Sequence, residues 1–180
     1  MANTALLVID VQESFRHRPY FRADDLPSFF DRTQRLVEGA RRKGWALVQV
    51  LHVDPEGPFS EASGLVTPMK ELTCTPDLVV KKHKHSALVG SSLPGWLVAQ
   101  DINRLVVGGI RTEQCCETTT RHASDSGYLV DYVTEATLTF PMTHPRTGRQ
   151  FSPAEIKEHT ELVLHERFAR VCTVKELFAR

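Results

Sequence analysis

The sequence has no excess of charge of either sign. Lys and Arg together number 22, Asp and Glu also number 22, and the formal net charge of the 180 residues at pH 7 is zero. Nucleic-acid-binding proteins usually show a basic patch or a basic balance, and neither is visible here. The sequence also lacks any apolar run near the roughly 20 residues that a membrane-spanning helix needs. We therefore expect no nucleic-acid partner and no insertion into a membrane.

Cysteine is scarce, and its spacing matches neither a disulfide framework nor a zinc site. The four cysteines are Cys74, Cys115, Cys116 and Cys172. A C-x-x-C pair would indicate zinc or redox chemistry, and none is present. Such sparse cysteine is typical of a reducing compartment. The apolar stretch 5–9 is too short for the hydrophobic region of a signal peptide and has no basic start. These absences predict a cytoplasmic protein.

Strand-like and helix-like segments alternate along the chain. The predicted strands are residues 4–9, 45–52, 78–82, 104–108, 128–133 and 170–172, and the predicted helices are 25–43, 93–100, 113–126, about 152–165 and a last one that begins at residue 173. Continuously apolar strands that alternate with helices indicate a parallel sheet covered on both faces. We predict an α/β fold, a three-layer α/β/α Rossmann-like arrangement with a mostly parallel sheet. Since no repeat, linker or low-complexity tract interrupts the pattern, residues 1–180 are predicted to form a single domain.

Polar side chains stand at the carboxyl ends of three predicted strands, where sheets of this kind bind their ligands. Asp10 follows the first strand, Lys82 closes the third, and Cys115 follows the fourth. We expect a carboxylate, an ammonium and a thiol to meet at one edge of the sheet. Unpaired N–H groups and the dipole at a helix start favour a thiolate, which makes Cys115 a candidate nucleophile. The alternatives are an inert buried cysteine and an Asp10–Lys82 ion pair that only satisfies two strand ends.

The chemistry of these groups suggests a role for each. Asp10 can take the thiol proton and later return it to a leaving group, and Lys82 can stabilise the thiolate and keep Asp10 ionised. The backbone N–H groups of Arg111 and Cys115 are candidates for an oxyanion hole. For substrate binding we predict that Phe15 forms a pocket wall and that the exposed side chain of Arg111 binds a substrate carboxylate. A core phenylalanine and a solvated loop arginine are the alternatives.

Four stretches of the sequence resemble a known superfamily. They are Leu-Val-Ile-Asp-Val-Gln-Glu-Ser-Phe at 7–15, Val-Lys-Lys-His-Lys-His-Ser-Ala at 80–87, Gly-Ile-Arg-Thr-Glu-Gln-Cys at 109–115 and Thr-Glu-Ala-Thr at 134–137. In these stretches the chain resembles the isochorismatase-like cysteine hydrolases, which include nicotinamidases and N-carbamoylsarcosine amidases. The likeness extends over nearly the whole chain, and the segment that contains Cys115 is its most specific part.

The resemblance implies a fold, a catalytic triad and a reaction. The triad of the superfamily falls on Asp10, Lys82 and Cys115. We predict no cofactor. The resemblance implies an acyl-enzyme on Cys115, formed from a small-molecule amide or carbamoyl substrate with release of ammonia or an amine. It also implies a cis peptide between Ile110 and Arg111 that directs the second N–H into the oxyanion hole. The alternative functions are vinyl-ether hydrolysis of the isochorismatase type and a non-catalytic binding protein that keeps the fold.

The sequence departs from the nicotinamidase metal site. Nicotinamidases carry Asp-x-His…His after the second strand, whereas residues 51–55 read Leu-His-Val-Asp-Pro here, and no second histidine follows nearby. We therefore predict no metal and interpret His52 as a loop histidine. A metal bound by His83 and His85 is disfavoured because the flanking lysines repel cations.

Two further features are expected to serve packing and assembly. Cys116 lies about 100° around the helix from its neighbour and is predicted to pack inward. Residues 140–151 form a connection longer than usual, as lids and subunit contacts often do. From this segment we predict a homo-oligomer.

Overall fold

The computed structural model describes residues 3–179, in which helices flank a six-stranded sheet. The elements in chain order are β1 (Thr4–Ile9), α1 (Leu26–Arg42), β2 (Ala46–His52), β3 (Leu78–Lys82), α2 (Leu93–Ala99), β4 (Arg104–Ile110), α3 (Glu117–Asp125), β5 (Leu129–Leu138), β6 (Met142–Thr143), β7 (Gln150–Phe151), α4 (Pro153–Leu164), β8 (Arg170–Val171) and α5 (Val174–Phe178). The sheet order is β3-β2-β1-β4-β5-β8, and every pairing in it is parallel. The predicted fold class is confirmed.

The central strand β1 is buried along its whole length, which explains its unbroken apolar sequence. Side chains along a strand alternate between the two faces of the sheet. Leu6 and Val8 pack in one core with α1 and α5. Leu7 and Ile9 pack in a second core with α2, α3 and the end of α4. The helices therefore cover both faces, and the three layers follow from this alternation.

Two strands continue further than the sequence predicts. β4 ends at Ile110 rather than at residue 108, and β5 ends at Leu138 rather than at residue 133. The pairing of these strands shifts register between Val107 and Gly109, and this shift lets β5 continue beside the end of β4. At Gly109 a Cβ atom would lie 2.0 Å from the carbonyl oxygen of Ile9, so the two backbones can approach this closely only with glycine.

The predicted helix 113–126 is two structures in succession. Residues Thr112–Cys116 form a π-helical turn, and α3 begins only at Glu117. In this turn the carbonyl oxygen of Arg111 accepts hydrogen bonds from the N–H groups of Gln114 and Cys116, each at 3.2 Å. Such turns are frequent at functional sites. The prediction of one continuous helix was wrong because a π turn depends on its tertiary partners and has no sequence period of its own.

The segment 140–151 folds into an antiparallel hairpin of β6 and β7. Its predicted contribution to a homo-oligomer stays a prediction. None of the helices in residues 3–179 is long and apolar enough to cross a membrane.

Candidate active site

The carboxyl ends of the strands bring the three predicted reactive groups together. Asp10 directly follows β1, Lys82 is the last residue of β3, and Cys115 lies in the π turn after β4. The Nζ atom of Lys82 lies 2.8 Å from Oδ2 of Asp10 and 3.4 Å from Sγ of Cys115. The side chains of Asp10 and Lys82 are both fully buried. One buried cation therefore contacts both the carboxylate and the thiol.

The carboxylate of Asp10 has little hydrogen bonding for a buried group. Its backbone is fixed, because its N–H donates to Val50 and its carbonyl accepts from Gln12, each at 2.9 Å. The ion pair with Lys82 is short, yet neither carboxylate oxygen makes a hydrogen bond of ordinary geometry within the described part of the chain. Buried polar atoms are normally hydrogen-bonded, so such an exception needs an explanation. The carboxylate retains lone pairs that can accept a proton.

The protonation of the thiol differs from the expectation that a helix start favours a thiolate. Burial raises the pKa of Cys115 far above the usual range, the charge of Asp10 raises it further, and Lys82 only partly opposes this. For Lys82, burial lowers the pKa, but Asp10 and Cys115 together reverse this effect, so the pKa is raised overall. At neutral pH the resting site therefore contains a neutral thiol beside an ammonium. Desolvation of the thiol therefore opposes the thiolate that a helix start favours, and it outweighs the charge of Lys82.

The neighbouring Cys116 points into the core, as predicted. It is fully buried and packs with residues of α2 and the sheet. Burial is the main cause that raises the pKa of Cys116 well above its usual value. Of the two adjacent thiols, Cys115 is therefore the one that borders open space.

A cavity of about 210 Å³ opens onto Cys115. Its lining residues are Asp10, Phe15, Arg18, Tyr20, His52, Asp54, Phe59, His85, Gln114 and Cys115. Phe15 is part of this wall, as expected, and its ring makes an edge contact with Phe59 at 4.9 Å between ring centroids. Aromatic walls with a few convergent polar groups are typical of small-molecule sites.

Arg111 does not present its side chain at the mouth of this cavity. Its guanidinium forms an ion pair with Glu113 at 2.9 Å and lies over the rings of Tyr20 and Phe140, at 4.9 and 5.7 Å from their centroids. Only 7% of Arg111 is exposed. The expectation of an exposed Arg111 side chain was therefore wrong, because these three partners bury it, and its contact with a substrate carboxylate stays a prediction. The Ile110–Arg111 peptide is cis, as the resemblance implied.

The contacts of two histidines, His52 and His85, with the reactive groups were not predicted from the sequence. Nδ1 of His52 lies 2.9 Å from Nζ of Lys82, and its Nε2 lies 2.9 Å from Oδ1 of Asp54. Nδ1 of His85 lies 3.7 Å from Sγ of Cys115. The signal for His52 was available, because it ends β2 and thus obeys the same strand-end rule that selected Asp10 and Lys82.

Comparison with known proteins identifies the family. A family model described as the isochorismatase domain matches residues 4–175. The chain belongs to the isochorismatase family. It is 24% identical over 181 residues to the uncharacterised isochorismatase-family protein YrdC of Bacillus subtilis, covering 96% of this chain and 93% of that protein.

Two further relatives extend this likeness. An isochorismatase-type protein from Burkholderia xenovorans has a solved structure with a TM-score of 0.88 and 31% identity, covering 99% of this chain and 86% of the other. Nicotinamidase 3 of Arabidopsis thaliana is 38% identical over 65 residues, covering 36% of this chain and 33% of that protein.

The residues of this isochorismatase-family chain do not fit the metal site of nicotinamidases. In the described part of the chain, Asp10, His52 and Cys115 have ligand atoms that all lie within 4.8 Å of one another. Each of them also contacts Nζ of Lys82, at 2.8, 2.9 and 3.4 Å respectively. The ammonium therefore holds the position between these groups and would repel a second cation there. The Asp-x-His…His pattern is missing as well.

Proposed function

We propose that the chain is a cysteine hydrolase that cleaves the C–N bond of a small amide or carbamoyl compound. The observation that carries this proposal is the contact of the buried Lys82 ammonium with both Asp10 and Cys115 beside a cavity that borders the thiol. A nucleophile, a proton acceptor and a cation next to both are the groups that acyl transfer to cysteine needs. One relative is named a nicotinamidase, which favours an amide over an ether.

In the first half-reaction, Asp10 takes the proton of the Cys115 thiol while the sulfur attacks the carbonyl carbon. The carbonyl oxygen becomes an oxyanion that accepts hydrogen bonds from the backbone N–H groups of Arg111 and Cys115. Asp10 then returns the proton to the leaving nitrogen. The C–N bond breaks, ammonia or an amine departs, and a thioester remains on Cys115.

Water completes the reaction. Asp10 takes a proton from a water molecule while the oxygen of that water attacks the thioester carbon. The C–S bond breaks, the sulfur of Cys115 receives the proton, and the acid product leaves. Lys82 stays charged throughout, because its pKa is raised overall although burial alone lowers it.

The cavity limits the size of the substrate. Its volume of about 210 Å³ is below the range of about 300–1,000 Å³ that is usual for ligand pockets. Phe15, Tyr20 and Phe59 supply an aromatic wall. We therefore propose a compact substrate with a partly apolar body, attached to the amide or carbamoyl group that Cys115 attacks.

A screen of small primary amides, N-carbamoyl compounds and ureido compounds tests the reaction. Ammonia release gives the turnover, and mass spectrometry of rapidly quenched samples detects the acyl adduct on Cys115. We expect Cys115→Ala to lose both signals. The matched control is Cys74→Ala, because Cys74 is a half-buried cysteine that does not line the cavity. Turnover by Cys115→Ala, or hydrolysis of a vinyl ether without any amide cleavage, would overturn the proposal.

A further inference from the structure

His52 and Asp54 extend the site beyond its three reactive groups. His52 is the last residue of β2 and pairs directly with Lys82 of β3. Its backbone is held on both sides by the buried side chain of Gln12, which accepts from the N–H of His52 at 2.7 Å and donates to its carbonyl at 3.1 Å. A third contact of the Gln12 side chain, with the hydroxyl of Ser14 at 2.9 Å, fixes that amide in turn. The position of the imidazole ring is therefore determined by the fold.

The partners of the ring determine its protonation. An ammonium can only donate hydrogen bonds, so Nδ1 of His52, at 2.9 Å from Nζ of Lys82, must be the acceptor. The ring proton then lies on Nε2 and is donated to the carboxylate of Asp54 at 2.9 Å. The geometry thus requires a neutral His52 with a defined tautomer.

The ammonium of Lys82 has three polar neighbours, one for each of its three N–H groups. It carries three N–H bonds and no lone pair. Around it lie Oδ2 of Asp10 at 2.8 Å, Nδ1 of His52 at 2.9 Å and Sγ of Cys115 at 3.4 Å. If His52 did not accept, a fully buried ammonium would lose one of its three neighbours. Asp10 and Cys115 would still contact it, but no third acceptor would fix its position between them.

We propose that His52, oriented by Asp54, is a positioning residue that holds the Lys82 ammonium between Asp10 and Cys115, and that protonation of His52 ends this hold at acid pH. The proposal rests on the proposed function in so far as it concerns turnover. The position of Lys82 also affects how fast the Cys115 thiol reacts with an alkylating reagent. This reactivity is measured without any substrate.

The surroundings of His52 determine the sign of the pH effect. Lys82, Asp10 and Cys115 face it on one side, Asp54 on the other, and the ring of His85 stacks at 6.3 Å. Burial, and next Lys82, lower the pKa of His52, while Asp10 and Asp54 raise it by less. An imidazolium would have no lone pair for Lys82 and would repel it. Activity is therefore expected to be lost on the acid side of the ordinary histidine range.

Variants of His52 separate its role as a hydrogen-bond acceptor from its ability to take up a proton. His52→Ala removes the acceptor, whereas His52→Asn keeps an acceptor oxygen near the position of Nδ1 and does not titrate. With Lys82 held less firmly beside the sulfur, the pKa of the Cys115 thiol should rise. We expect alkylation of Cys115 by iodoacetamide at pH 8 to slow by about tenfold in His52→Ala, the effect of one pKa unit. In His52→Asn most of the wild-type rate should return. His159→Ala is the matched control, because His159 is an exposed histidine of α4 and should leave the rate unchanged.

The pH profile gives a second and independent readout. In His52→Asn the acid limb of kcat/KM, and that of the alkylation rate, should move to lower pH. Asp54→Asn should move both limbs the same way, because the Asp54 carboxylate raises the pKa of His52. An acid limb that stays at its wild-type position in His52→Asn would overturn the proposal, and this test remains if His52→Ala does not fold. A wild-type alkylation rate in folded His52→Ala would overturn it as well. If the protein cleaved no amide in the screen, only the proposed function would be refuted. The pH profile of alkylation would still test the role of His52.

Discussion

The buried pair of Asp10 and Lys82 allows a quantitative test of the site. We consider Lys82→Met, which keeps a long apolar stem and removes only the charge and its donors. Both side chains are fully buried, and their charged atoms lie 2.8 Å apart. In the part of the chain that the structure describes, the carboxylate of Asp10 has no hydrogen-bond partner to replace the ammonium. The variant would therefore bury an uncompensated negative charge.

The cost of this charge is large compared with the stability of a domain. Removal of one partner of a buried ion pair typically costs about 3–5 kcal/mol. Single domains are stable by about 5–15 kcal/mol. At about 2–4 °C per kcal/mol for a chain of this length, the midpoint of thermal unfolding should fall by about 6–20 °C. The double variant Asp10→Asn/Lys82→Met carries no unpaired charge and should recover most of the lost stability.

Urea unfolding, followed by the fluorescence of Trp45 and Trp96, measures these free energies. Lys81→Met is the matched control, because this adjacent lysine is about half exposed and pairs with Glu61 at the surface. Its substitution should cost less than about 1 kcal/mol. A loss of less than about 1 kcal/mol in Lys82→Met, or a double variant less stable than the single one, would refute the assignment of a desolvated pair.

Three other predictions concern the chemistry. Asp10→Asn should lower ammonia release by at least about 100-fold, because an amide cannot accept the thiol proton, and normal turnover by the folded variant would contradict this. Prolonged treatment with a chelator should leave turnover unchanged, because Lys82 fills the space between Asp10, His52 and Cys115. A loss that zinc restores would contradict this second prediction. Brief alkylation should label Cys115 and spare Cys116, with a rate that still rises above pH 9 because burial raises the pKa of Cys115. Label found mainly on Cys116, or an inactive but folded Cys116→Val, would contradict the third.

Much of the fold was predictable because burial leaves a local pattern. The continuously apolar segments ended by charged or turn residues predicted β1 and β3 at the bounds that the structure has. The extension of β5 to Leu138 was not predictable. It depends on a register shift against β4, where Gly109 pairs with Thr137 of β5 and also lies against Ile9 of β1, so it depends on residues far apart in sequence. The ends of β1 and β3 follow from local sequence, whereas the end of β5 follows from its pairing with β4.

In the candidate site, too, some residue positions could be predicted from the sequence and others could not. Asp10, Lys82 and Cys115 could be predicted to meet because parallel strands end at one edge. His52 obeys that rule too, but it was interpreted as a loop histidine when the metal pattern proved incomplete. The side chain of Arg111 was placed wrongly because its direction depends on Tyr20, Phe140 and Glu113, and no local pattern encodes contacts of that kind.

The position of Lys82 also explains how a buried, neutral thiol can serve as the nucleophile of the proposed reaction. Transfer of the proton from Cys115 to Asp10 moves one negative charge from the carboxylate to the sulfur and leaves the net charge of the three groups at zero. Nζ of Lys82 is 2.8 Å from the first position of that charge and 3.4 Å from the second. The cation therefore stabilises both states without moving, and the proton transfer creates no net charge among these buried groups. The raised pKa of the resting thiol is compatible with catalysis, because the thiolate forms only as Asp10 becomes neutral beside it.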